Sequence, residues 1–131
     1  MNKIERTGQR PIEFEGEQLA EVSTRNHAGK ERNRWHELAV WKTASGKFVA
    51  VVAYHTQWEG EAGYDDALVF DSLEQVATLF EEYIFPNIGS IGYPASPTYE
   101  DRQARLMADL EQAFKHAAGR LLTKLDVTEK L

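Results

Sequence analysis

Two runs rich in β-branched and aromatic residues, Trp35–Thr43 and Lys47–Trp58, are separated only by Ala44-Ser45-Gly46. A gap that short, ending in glycine, returns the chain antiparallel on itself, so this β-hairpin restricts the fold more than any other feature. Two registers compete. A two-residue turn at Ser45-Gly46 sets His36 opposite His55. A three-residue loop with Gly46 at the left-handed position of a G1 bulge pairs Trp41 with Val49 and Ala39 with Val51 instead. Serine tolerates poorly the positive φ of a type I′ turn, whereas the bulge form asks for glycine at its last position alone. The three-residue loop is therefore the expected one. It places Trp35, Ala39, Trp41, Val49, Val51 and His55 on one face, and His36, Leu38, Val40, Phe48, Val52 and Tyr54 on the other.

Both faces are then largely apolar, unlike a sheet with one wet side. Helices cover one of them. The second face needs the N-terminal segment, another helix or a second copy of the chain, and this reading favours a homodimer.

The other elements follow from period and punctuation. Residues 1–10 are polar and expected to be disordered. Pro11–Glu15 alternates as a strand, Gly16 interrupts it as a bulge or turn, and Leu19–Val22 resumes. Residues 59–66 read as an acidic loop and Ala67–Phe70 as a short strand. Asp71 and Glu74 form an expected capping box for a helix whose stripe is Leu73, Val76, Ala77, Phe80 and Ile84, ended by Pro86. A Pro/Gly linker spans 86–97. Thr98 and Asp101 then open a second helix with Leu106, Leu110, Phe114, Ala117, Leu121 and Leu125 along one stripe. It runs about 27 residues, or roughly 40 Å. The expectation is one α+β domain over 1–131: an antiparallel sheet of about four strands (an N-terminal strand, the hairpin 35–58 and the strand 67–70), followed by two helices, the second long.

Charge is distributed unevenly. From Phe48 to Asp101 there is no lysine or arginine, while Glu59, Glu61, Asp65, Asp66, Asp71, Glu74, Glu81, Glu82, Glu100 and Asp101 all lie there. The net charge of -6 resides wholly in this stretch, since both flanks carry a small basic excess. Such a field bears on partners rather than on fold. It points to a non-enzymatic interaction or regulatory protein that docks on another, basic protein, with Asp65, Asp66, Glu81 and Glu82 as the contact residues.

Two alternatives rest on smaller constellations. His55, Glu59 and Glu61, with Tyr64 nearby, offer imidazole and carboxylate ligands for a divalent metal in a small enzyme or ligand-binding module, although their spacing fits no helical ligand pair. Arg25, Lys30, Arg32 and Arg34 beside Trp35 form the one basic cluster and could contact nucleic acid. The acidic middle opposes that contact, so a nucleic-acid partner ranks below a protein one. The serines sit in turns, caps and linkers outside any nucleophile elbow, and Gly89-Ser-Ile-Gly92 lacks the lysine of a phosphate loop. No cofactor is expected. With no cysteine, no apolar leader and no membrane-length apolar run, a cytoplasmic location is expected.

The C-terminal Thr123-Lys124-Leu125-Asp126-Val127, together with Phe14–Val22 and the Trp41–Phe48 hairpin, resembles the small bacterial EXLDI family, named for a terminal Glu-x-Leu-Asp-Ile. Thr123 stands where that signature has glutamate and Val127 where it has isoleucine. The resemblance implies no activity and no site. Read physically, Leu125 closes the apolar stripe and Asp126 ends the helix.

Overall fold

A computed structural model describes residues 1–26, 29, 33–84 and 99–128, with side chains of the last segment from 104 onward. The 86–97 linker, Thr98, Lys30 and Arg32 lie outside the described residues. The elements in order are β1 (Asn2–Arg6), β2 (Gln9–Phe14), β3 (Gly16–Ser23), β4 (Arg34–Thr43), β5 (Phe48–Thr56), β6 (Tyr64–Phe70), α1 (Leu73–Glu81) and α2 (Tyr99–Lys124). The architecture is α+β. One antiparallel sheet has the order β3-β4-β5-β6, and β1 and β2 form a second, two-stranded sheet.

The central hairpin adopts the three-residue loop. Trp41 pairs with Val49, Ala39 with Val51 and His36 with Tyr54. Gly46 sits at φ +89°, the left-handed position that the bulge demands. His36 and His55 therefore lie on opposite faces.

The face bearing Leu38, Val40, Ala50 and Val52 is joined by Ala20 and Val22 of β3. It packs against Val76 and Phe80 of α1 and against Phe114, Ala117, Ala118 and Leu121 of α2. Most of these side chains are fully sealed. Burial of each large aliphatic or aromatic residue is worth about 1.5–3 kcal/mol, so this layer carries most of the fold's stability.

The N-terminal segment supplies the layer on the second face. Residues 1–10, expected to be disordered, are mostly strand, because Ile4 pairs with Ile12 and Asn2 with Phe14 across a tight turn. At one end β2 runs through Glu15 into β3 at one edge of the larger sheet, where Ala44 N–H donates to Glu15 O at 2.7 Å. At the other end, Thr7 N–H donates to Asp65 O on β6, at the opposite edge, and Asp65 N–H returns a bond to Thr7 Oγ1, both at 2.8 Å. The β1–β2 hairpin thus crosses the sheet. Phe14 meets Trp41 edge-on at 5.7 Å between ring centroids. Val49, Ala67 and Trp35 are all buried within a single chain. The uncovered face that favoured a homodimer is in good part covered by the chain's own N-terminus, and that ground for dimerisation falls away.

Gly16 marks the corner between β2 and β3. A Cβ there would lie 2.2 Å from Lys42 O, so only glycine lets the two backbones approach this closely.

Three local expectations shift. The first helix is capped by Ser72, whose hydroxyl accepts from Gln75 N–H at 3.3 Å, while Gln75 Oε1 accepts from Asp71 N–H at 2.9 Å. The capping box is one residue later than Asp71–Glu74, because the Asp71 carboxylate is held by Lys47 Nζ at 2.6 Å. The helix also stops at Glu81, which leaves Ile84 exposed rather than on the buried stripe. Tyr83 instead turns inward and stacks on Phe114 at 5.1 Å. Finally, β6 begins at Tyr64, so Tyr64, Asp65 and Asp66 belong to a strand and not to the acidic loop. The end of α2 agrees with its reading: Leu125 packs on the core, and Asp126 takes φ +58°. Val127 N–H then bonds Leu122 O and Asp126 N–H bonds Thr123 O, the Schellman pattern.

Candidate functional site

The polar side chains of the helix-facing side gather at one end of the sheet, where Arg34, His36, Tyr54, Thr56 and Tyr64 lie on neighbouring strands in register. The loop after β5 folds back so that Glu61 drops onto them. Its carboxylate accepts from Arg34 Nε at 2.9 and 3.0 Å and from Arg34 Nη2, from Thr56 Oγ1 at 3.1 Å and from Tyr54 OH at 3.2 Å. Burial pushes the Glu61 carboxyl up, but the bonds and charge of Arg34, aided by Thr56 and Tyr54, hold it below the usual carboxylate range. The Tyr54 phenol moves the other way: burial first, then the Glu61 charge, raise it well above its usual range. The Arg34 guanidinium also lies over the Trp58 ring at 4.9 Å.

Beside this cluster His36 is fully enclosed by Tyr54, Tyr64 and Phe114. Its backbone N–H donates to Thr24 Oγ1 at 2.8 Å and its Nε2 lies 3.2 Å from Tyr64 OH. Burial, and secondarily the proximity of His55, lower it from 6.5 to about 4, so the ring is neutral at pH 7. The Tyr64 and Tyr83 hydroxyls are hydrogen-bonded to each other, and Tyr83 OH donates to Asp66 Oδ2 at 3.4 Å. Burial lifts Tyr64 to about 12, the hydrogen bond with Tyr83 opposing and the Asp66 charge adding. Burial and its neighbours drive Tyr83 higher still. His36, Tyr64 and Tyr83 are therefore neutral near pH 7, the imidazole sealed and the two phenols half-buried. The relay packs on Phe114 of α2 through His36 and Tyr83, and none of these three groups is charged near pH 7.

The residues anticipated from sequence are dispersed. Glu61 is committed to Arg34, Tyr54 and Thr56 on the helix-facing side. His55 projects from the opposite face, stacked on Trp35 at 5.3 Å with its Nε2 3.4 Å from Glu37 Oε2. Glu59 is exposed in the loop. His55, Glu59 and Glu61 are not brought together, and among the described residues no group of three such ligands is placed to hold a metal. Of the basic cluster, Arg34 is spent on Glu61, and Arg25 lies over the Trp35 ring at 4.4 Å. Asp65 and Asp66 face opposite sides of β6, Asp65 towards solvent and Asp66 towards Tyr83. Glu81 and Glu82 stand exposed at the end of α1.

One feature of this region had no sequence signal beyond the apolar residues themselves. Between the outer flank of α1 and β6 runs an open apolar groove of about 540 Å³, lined chiefly by Leu68, Phe70, Leu79, Tyr83 and Ile84, with Glu82 at its rim. It exists because α1 ends early and Ile84 turns out. Comparison with protein-family models, with curated proteins and with solved structures finds no match to this chain. No described helix is long and apolar enough to cross a membrane.

Proposed function

We propose that this chain is a non-enzymatic interaction protein that docks on a basic partner through its acidic middle third. One contrast carries the reading. The side chains of reactive type are consumed internally and Asp71 is paired with Lys47, whereas Glu59, Asp65, Glu74, Glu81 and Glu82 stand at the surface of a stretch that has no lysine or arginine. Exposed acids without internal counter-charges keep their field for a partner. The test is binding to immobilised lysine-containing peptides of graded charge, with salt raised from about 0.05 to about 0.5 M to shorten the screening length. Binding should grow with peptide charge, fall with salt and be lost in Glu81→Lys/Glu82→Lys. It should persist in Glu13→Lys/Glu17→Lys, which adds the same charge outside the block. Equal loss in both double variants, or indifference to salt, would overturn the reading.

A further inference from the structure

At one end of the main sheet, three side chains on two neighbouring strands converge on a single point. Arg34 of β4 is paired with Thr56 of β5, and Tyr54 lies two residues before Thr56 on the same face. All three act there as donors to one carboxylate. Glu61 Oε1 accepts from Arg34 Nε at 2.9 Å, from Thr56 Oγ1 at 3.1 Å and from Tyr54 OH at 3.2 Å, and Oε2 accepts from Arg34 Nε at 3.0 Å and from Nη2. Tyr54 is sealed, and only 13% of the Arg34 side chain is exposed. Strand pairing, not Glu61, sets the backbones that carry these donors.

The carboxylate itself arrives on a loop. One end is fixed where Gln57 N–H donates to Asn33 O at 2.9 Å, the other where Gly63 lies so close to Tyr54 O that a Cβ would sit 2.3 Å from it. Between them the tip bonds to itself, Glu61 N–H donating to Trp58 O at 3.2 Å, with Gly60 at φ +83°. Among the described residues, the only hydrogen bonds from 59–62 to the strands are those of the Glu61 carboxylate. Trp58, 51% exposed, adds an N–H on Thr56 Oγ1 and its ring over Arg34. Glu61 is thus a tethered ligand in a seat that the strands build. Burial pushes its carboxyl up, yet the same donors hold it below the usual range, so the seat suits an ionised carboxylate. Arg34 is the one cation bonded there, which balances a single negative charge rather than the two of a phosphate dianion.

We propose that Arg34, Tyr54 and Thr56 form a binding site for the carboxylate of a small organic acid, that Glu61 is its internal occupant, and that an incoming monocarboxylate replaces Glu61 while residues 58–62 swing outward. One carboxylate is exchanged for another, so the charge of Arg34 stays matched throughout. The internal occupant sets the threshold. An acid binds the wild type more weakly than a chain without Glu61 by the factor with which Glu61 closes its own site, about 30- to 150-fold for a pair this enclosed. The site is separate from the acidic docking surface and does not depend on it.

The probes are sodium acetate, propionate and benzoate, each compared with sodium chloride at equal ionic strength. Glu61→Ala leaves the three donors without their carboxylate. Acetate at about 0.1 M should raise the thermal midpoint of that variant by about 4 °C over chloride, as expected for an ion at about ten times its Kd. Glu61→Ala/Arg34→Met should show no difference between the two salts. The wild type is tested without any substitution, through exchange of the Trp58 amide followed by NMR. Propionate or benzoate at about 0.5 M should speed that exchange by about tenfold or more, because the closed loop opens only rarely by itself, and chloride should not. No acetate-specific rise in Glu61→Ala, or an equal rise without Arg34, would overturn the site. A larger rise with sodium phosphate would assign the seat to phosphate and overturn the carboxylate class. Rescue of Glu61→Ala with wild-type Trp58 exchange unmoved by propionate and benzoate would make Glu61 a permanent strut and overturn the exchange.

Discussion

Acidification should weaken this fold at a point set by one side chain. His36 is enclosed and its pKa lies at about 4, whereas in the unfolded chain it returns to the usual 6.5. Between those values the unfolded state binds a proton that the folded state refuses, so stability is full above pH 6.5 and is lost as pH falls towards 4. The slope approaches about 1.4 kcal/mol per pH unit, and the loss accumulated between pH 8 and pH 5 is about 2 kcal/mol. Below pH 4 both states are protonated and the term stops growing. Neighbouring groups leave this window clear: Tyr54 and Tyr64 stay neutral throughout it, and Glu61, whose depressed pKa stabilises the fold above the usual carboxylate value of 4.5, loses its contribution only at lower pH. The measurement is urea unfolding followed by tryptophan fluorescence at pH 8, 7, 6 and 5. With a slope of about 2 kcal/mol/M, the wild-type midpoint should drop by about 1 M across the series. His36→Gln, which does not titrate, should start less stable, having lost the ring packing against Tyr54 and Phe114, but its midpoint should fall by much less. Equal pH dependence in the two proteins would refute the reasoning.

Two further substitutions follow from the same geometry. Glu61→Ala removes the partner of Arg34 from a pair whose side chains are 13% and 8% exposed, and should cost about 2–3 kcal/mol, somewhat under the range for a pair sealed in a core because this one sits at the sheet's end; adding Arg34→Met should recover part of that loss in the same urea assay. Asp126→Gly should stabilise by about 0.5–1 kcal/mol, since the Schellman cap holds residue 126 at φ +58° and places a carboxylate at the negative end of α2, read as a rise in thermal midpoint.

What could be read from the sequence, and what could not, divides by the range of the interaction. The hairpin register followed from a local choice, serine against glycine at a positive φ, and both faces of β4 and β5 followed from it. The cap at Leu125–Asp126 was equally local. The N-terminal hairpin was half legible: the alternation of Pro11–Glu15 marks β2, but Ile4 is an isolated apolar residue in a polar run, and β1 forms by pairing with β2 in a hairpin that is anchored where Thr7 meets Asp65, fifty-eight positions on. The capping box moved by one residue for a similar reason, since Lys47 draws away the aspartate that local rules would have used.

The candidate site divides the same way. Its charge could be counted directly from the sequence, but its shape could not. Ile84 continues the helical spacing of Val76 and Phe80, so periodicity assigns it to the core; in the structure the helix stops at Glu81, Tyr83 stacks on Phe114 and Ile84 points outward. That one displacement opens the groove beside β6. It also explains why Tyr83 closes the buried relay on one side of its backbone while its neighbour lines a surface on the other. A change that straightened α1 through residue 84 would therefore act on both together: it would pull Tyr83 from Asp66 and Phe114 and bury the groove. Stability and the shape of the groove are coupled at this turn, so variants that probe the groove belong at Ile84, whose side chain stands clear of the core, rather than at Tyr83.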